Sequence, residues 1–131
     1  MQFRLLKTLV KTLRCEELGE GDQVDEKLKF SPAYHEDLAR QFAVLFDLTI
    51  PLESTNRLHV TYLAVFETEE DITEDFKNSH FPKVNAAAVA YPYLRAFVSQ
   101  FSVLAGFEIY TLPIRNFAKA APTKRVDPKL E

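Results

Sequence analysis

Two runs of strict alternation constrain this chain more than anything else in it. Phe42, Val44, Phe46, Leu48 and Ile50 alternate with Gln41, Ala43, Leu45, Asp47 and Thr49. After the polar stretch Pro51 to Arg57, Leu58, Val60, Tyr62, Ala64 and Phe66 alternate with His59, Thr61, Leu63, Val65 and Glu67. Successive side chains of an extended backbone point to opposite faces, so period two in β-branched and aromatic residues predicts two strands. The short polar connection predicts that they pair as an antiparallel hairpin. Burying the five even-numbered side chains of the first run is worth on the order of 10 kcal/mol before conformational entropy is subtracted.

The odd-numbered face is also informative. Ala43 and Leu45 on one strand, and Leu63 and Val65 on the other, are apolar. A sheet covered on one side ordinarily turns polar residues to the other. The pattern predicts that part of this second face is covered or serves as a binding surface.

From Lys83 the chain reads as helix, seeded by Ala86, Ala87, Ala88 and Ala90. Pro92 falls inside the pattern, where its ring removes one hydrogen bond and kinks or restarts the helix. Ala90, Leu94, Phe97, Phe101 and Leu104 make one stripe; Tyr91, Val98, Ser102 and Ala105 make another. Arg95 is the single charge between Val84 and Ala105. A helix apolar nearly all round is covered on more than one side. One small sheet cannot supply both covers, which predicts an oligomer with Tyr91, Leu94, Phe97, Val98, Phe101 and Leu104 at the interface. Gly106 suits the helix end. Phe107 to Phe117 then predicts an extended apolar segment, with Pro113 barring a central strand.

The remaining segments are weaker. Phe3, Leu6, Val10 and Leu13 fit a helical stripe, although Phe3, Leu5, Leu9 and Leu13 also share one face of a strand. Leu28, Phe30 and Tyr34 suit an edge strand interrupted by Pro32. Six acids between Glu67 and Asp75 predict a solvated loop or helix start.

Composition narrows the function. The 131 residues allow one domain, here 1–117, followed by a loosely held tail at 118–131. A net charge of −3 argues against broad nucleic-acid binding. The lone Cys15 excludes an internal disulfide and a cysteine-based zinc site. Three glycines cannot build a P-loop or G-x-G-x-x-G turn. Charges among the first fourteen residues break the apolar core a secretory signal needs. The stretch from Val84 to Ala105 is a poor membrane span. His35, His59 and His80 lack ligand spacing, and the serines lack a nucleophile-elbow setting. The expectation is a non-enzyme with no catalytic residue, metal or cofactor, in the cytoplasm.

Three stretches of the C-terminal half resemble a known family. Tyr91-Pro92-Tyr93-Leu94-Arg95, the step at Gly106-Phe107, and Leu112-Pro113-Ile114-Arg115-Asn116-Phe117 are similar to motifs of the SecB family of bacterial export chaperones. That family has F-P-Y-A-R opening its long helix, then G-x-F-P, then P-I/V-N-F ending a crossover loop. The resemblance implies an α+β fold, with a long kinked helix on one face of a four-stranded antiparallel Greek-key sheet. It makes Phe3 to Arg14 the first strand. It further implies a homotetramer built as a dimer of dimers. The implied activity is that of a nucleotide-independent holdase for unfolded or partly folded client polypeptides, with protein export as its setting. The client groove would be walled by Phe107, Ile109, Tyr110, Leu112, Ile114 and Phe117, with Leu45, Leu63 and Val65 contributing from the strands. Two narrower alternatives are a dedicated chaperone of one client, such as an antitoxin, and a small-ligand or structural domain on the same fold. The family docks the SecA motor on an acidic sheet edge, whereas Arg57-Leu58-His59-Val60 is not acidic, which puts SecA in doubt as a partner.

Overall fold

The computed structural model describes residues 2–118. Four strands form one antiparallel sheet: β1 (Phe3–Glu17), β2 (Lys27–Tyr34), β3 (Gln41–Leu52) and β4 (Asn56–Thr68). Their order across the sheet is β1-β4-β3-β2. Strands β2, β3 and β4 form a meander and β1 returns beside β4, which is Greek-key connectivity.

The hairpin is tighter than the sequence suggests. Leu52 pairs with Asn56, so only Glu53, Ser54 and Thr55 make the turn, and Pro51 lies within β3 opposite Arg57. The proline is tolerated because β2 ends its pairing at Lys27–Thr49, leaving β3 a single neighbour beyond that point. Glu53 takes a left-handed backbone, φ 53°, to close the turn.

Strand β1 carries two register shifts, between Leu5 and Lys7 and between Val10 and Thr12. Each inserts an extra residue and swaps the faces. Phe3 and Leu5 therefore sit opposite Thr68 and Phe66, whereas Val10 sits opposite Tyr62 and Leu13 opposite Val60. The apolar set thus reaches one face at 3, 5, 10 and 13, close to the helical stripe that the periodicity suggested. This segment is a strand.

After β4 a bend leads to α1 (Glu74–Lys77). Thr73 caps it, its hydroxyl accepting the Phe76 amide at 3.1 Å, and Glu74 and Asp75 sit in its first turn, where acids are favoured. A π-helical turn (Phe81–Asn85) runs into α2 (Ala86–Leu104). Pro92 does not restart the helix. A proline in a helix interior costs about 3 kcal/mol. Burying Leu94 and Val98 against the sheet returns about 2–3 kcal/mol each, enough to carry the helix through.

The main core lies between α2 and the even-numbered faces of β3 and β4. At one end Phe42 stacks on Phe66 at 5.2 Å, with Phe3 and Phe76 edge-on to this pair. A second, smaller cluster of Ala33, Ala43, Leu63 and Val65, with Leu9 and Leu45 against it, occupies the opposite face. The two-faced strands of the sequence thus correspond to two cores of unequal size.

Candidate functional site

The site begins where α2 ends. Gly106 has φ +99°, the Phe107 amide donates to the Ser102 carbonyl at 2.9 Å, and the Gly106 amide donates to Val103 at 3.0 Å. This paired arrangement is the Schellman ending that a C′ glycine permits. It turns the chain back along α2, and residues 108–116 run without helix or sheet structure.

Helix side chains hold that segment in place of a strand ladder. The Tyr91 hydroxyl donates to the Pro113 carbonyl at 2.6 Å, Arg95 Nε to Leu112 at 3.0 Å, and Ser99 Oγ to Tyr110 at 3.1 Å. The Tyr110 amide in turn donates to Ser102 Oγ at 2.9 Å. Positions 91, 95, 99 and 102 are spaced four, four and three apart and so share one helix face. A second anchor comes from the connection before β2. The Glu26 carboxylate accepts from the Tyr110 hydroxyl and from Arg115 Nη2, the latter at 2.9 Å. A third is the Glu108 amide, which donates to the Glu53 carboxylate at 3.0 Å.

Burial raises the Tyr110 hydroxyl well above its ordinary value near 10, and the hydrogen bond to anionic Glu26 adds to this. Tyr91 is raised as well, chiefly by burial. Both phenols therefore stay neutral donors at any physiological pH.

The wall residues divide into two groups. Leu112 and Phe117 are enclosed in the core, and the Phe117 ring lies 5.0 Å from Phe30 and 5.2 Å from Tyr91. Phe107 and Tyr110 are half-buried against the same core. Ile109 and Ile114 face out, at 63% and 86% exposure. Ile109, Val103 and Leu104, with Ser99 and Gln100, line an apolar hollow of about 330 Å³.

The strand residues require a correction. Leu45, Leu63 and Val65 belong to the cluster on the opposite face of the sheet, away from the segment that packs on Phe30 and Phe46. Period two sends odd and even side chains to different faces, so one groove cannot contain both sets. Leu63 and Val65 are moreover buried, and Leu45 half-buried.

Of the interface positions, Tyr91, Leu94 and Val98 are enclosed within the chain's own core. Phe97 and Phe101 are half-buried, with Phe97 against Tyr62 at 5.7 Å. Leu104 is 85% exposed, next to exposed Val103. Sequence reasoning missed Glu26, Ser99 and Ser102 as anchors. The polar spacing of Tyr91, Arg95, Ser99 and Ser102 within an otherwise apolar helix was a usable signal; Glu26 carried none. A separate cleft of about 340 Å³ lies at the β2–β3 turn, walled in part by Tyr34, His35, Leu38 and Lys77. Residues 119–131, which contain nearly all of the expected tail, lie outside the described residues.

A Greek-key sheet of four antiparallel strands, with one long helix across a single face and a crossover segment returning along that helix, is the SecB-like chaperone fold. No family model matches the chain and no curated protein matches it in sequence. Among solved structures, it is similar to the Mycobacterium tuberculosis SecB-like chaperone Rv1957, in complex with a ChAD peptide from the Rv1956 HigA1 antitoxin. The TM-score is 0.64 at 18% identity, over 87% of this chain and 90% of that one. A protein of unknown function from Streptococcus agalactiae gives a TM-score of 0.55 at 12% identity, over 87% and 98%. The fold expected from the sequence is therefore the one observed. Among the described residues, no helix is long and apolar enough to cross a membrane.

Proposed function

We propose that this chain is a holdase, binding unfolded or partly folded polypeptides in the cytoplasm on the apolar surface around its crossover segment. One observation carries the reading. Ile109 and Ile114 are held facing water on a segment whose other apolar residues Leu112 and Phe117 are locked into the core. A segment anchored this firmly could keep its branched aliphatics inside, and exposing them costs hydrophobic free energy that only a partner recovers. A holdase needs no catalytic residue and no nucleotide, because binding alone shifts the client toward its unfolded state by mass action.

The exposed Leu104 and Val103, with half-buried Phe101 nearby on α2, support self-association along this helix, in keeping with the dimer of dimers that the resemblance implies. SecA docking and a role in export would need an acidic edge. At the corresponding place Arg57 and His59 project from β4, paired with Glu16 and Asp47 at 3.6 and 2.7 Å. The antitoxin peptide on the mycobacterial chaperone favours a second reading, in which this chain serves one dedicated client.

The test is suppression of aggregation when chemically unfolded citrate synthase is diluted into buffer. At stoichiometric ratio the chain should protect it, and the double variant Ile109→Ser, Ile114→Ser should lose at least five-sixths of that protection. The double variant should unfold within about 0.5 kcal/mol of the parent, as surface substitutions do. No protection by the parent removes the holdase reading. A pulldown dominated by a single partner selects the dedicated-client version.

A further inference from the structure

The crossover segment has one edge bonded to α2 and, among the described residues, another edge whose backbone groups have no hydrogen-bond partner. Tyr110 turns both its amide and its carbonyl to serines of α2, and Leu112 turns its carbonyl to Arg95. In an extended backbone the amide and carbonyl of one residue point the same way, and those of the next residue point the opposite way. The backbone groups of Ile109 and Thr111 are therefore aimed away from α2. Among the described residues, none of their amides or carbonyls has a hydrogen-bond partner, and both residues are exposed. Their spacing, about 7 Å along the chain, is the repeat of a β ladder.

We propose that this edge is a docking strand: an extended polypeptide adds alongside Ile109–Thr111 by main-chain hydrogen bonds. The inference rests on the holdase reading and specifies how the client is held. Main-chain pairing recognises any extended backbone, which is the chemistry that a holdase for diverse sequences requires. The segment is prepared for it. Its inner edge is already fixed by Tyr91, Arg95, Ser99 and Ser102, so no ordering of the segment is needed on binding.

The surroundings state the charge of the occupant. Glu108 lies in the segment, Glu53 is bonded to its amide, and Glu26 is bonded to the Tyr110 hydroxyl, with Arg115 already paired to Glu26. This acidic border suits an apolar strand flanked by lysine or arginine.

The probe is the fluorescent nonapeptide Lys-Leu-Thr-Val-Leu-Val-Thr-Leu-Lys, with a version N-methylated at each of its seven central residues, whose side chains are unchanged. Methylation should weaken binding to the full chain at least tenfold. Amide exchange at Ile109 and Thr111 should slow at least tenfold with the parent peptide bound. Equal affinity of the two peptides, or unprotected amides at those positions, overturns strand addition while citrate synthase protection leaves the holdase reading standing. No binding of either peptide also overturns strand addition, and absent protection at the same time removes both. Glutamates in place of the terminal lysines should weaken binding at least threefold at low salt; equal binding overturns the stated charge of the occupant. Protection of the two amides in the free protein that disappears on dilution would assign the edge to a second copy of this chain, and would overturn the proposal.

Discussion

Two of the side chains that hold the crossover segment, Phe117 and Tyr110, each make a separate prediction. Phe117 packs edge-on between Phe30 and Tyr91 and is nearly fully enclosed. Phe117→Ala should destabilise the fold by about 3–5 kcal/mol, read as a drop in the urea midpoint. Tyr110 acts through its proton. Its hydroxyl is raised in the folded state by burial first and by Glu26 second, from an ordinary value near 10. A raised folded value favours the protonated form, so the stabilisation is complete below pH 10 and is lost as pH rises beyond it. Urea midpoints followed from pH 8 to 11 should fall at the alkaline end for the parent and fall less for Tyr110→Phe. Part of the decline should persist, because Tyr91 is raised in the same direction. An identical alkaline fall in the variant would show that Tyr110 does not hold the segment through its hydroxyl.

At the scale of elements, α2 and β1 show where local pattern and tertiary context part. Pro92 leaves the Ala88 carbonyl without its helical donor, yet α2 runs on to Leu104. Pro92→Ala should raise stability by about 1–3 kcal/mol, measured by urea unfolding, because it restores the donor at an exposed position. A loss of stability would mean that the proline shapes how α2 seats the crossover segment. Strand β1 was ambiguous in the sequence for a physical reason. Its two bulges break period two into uneven spacings, and the apolar positions drift toward a helical rhythm. Pairing with β4 decides the matter, since a strand beside β4 satisfies the backbone groups that β4 turns away from β3, and an isolated helix would not. The crossover segment shows the reverse case. Its apolar content was plain, but its division into locked Leu112 and Phe117 and outward Ile109 and Ile114 depends on bonds from α2 and from Glu26, all distant in the chain.

For the molecule as a whole, the unequal cores bear on assembly. The helix face is filled, while α2 keeps Leu104 and Val103 in water. Leu104→Glu should lower the mass seen by light scattering to that of one chain, and leave far-ultraviolet circular dichroism unchanged. A parent that is already a single chain at working concentration would remove the oligomer from the proposal. Local pattern was enough for four features: alternation for the central hairpin and the partition of its faces, helical stripes and strong helix formers for the helix that follows, and Gly106 for its end, because each rests on interactions between residues near in sequence. The face on which the crossover segment lies, the separation of Leu45, Leu63 and Val65 from it, and the anchoring by Glu26 were settled only when distant strands came together. Contacts between remote residues are governed by register and packing, and a short window of sequence contains neither.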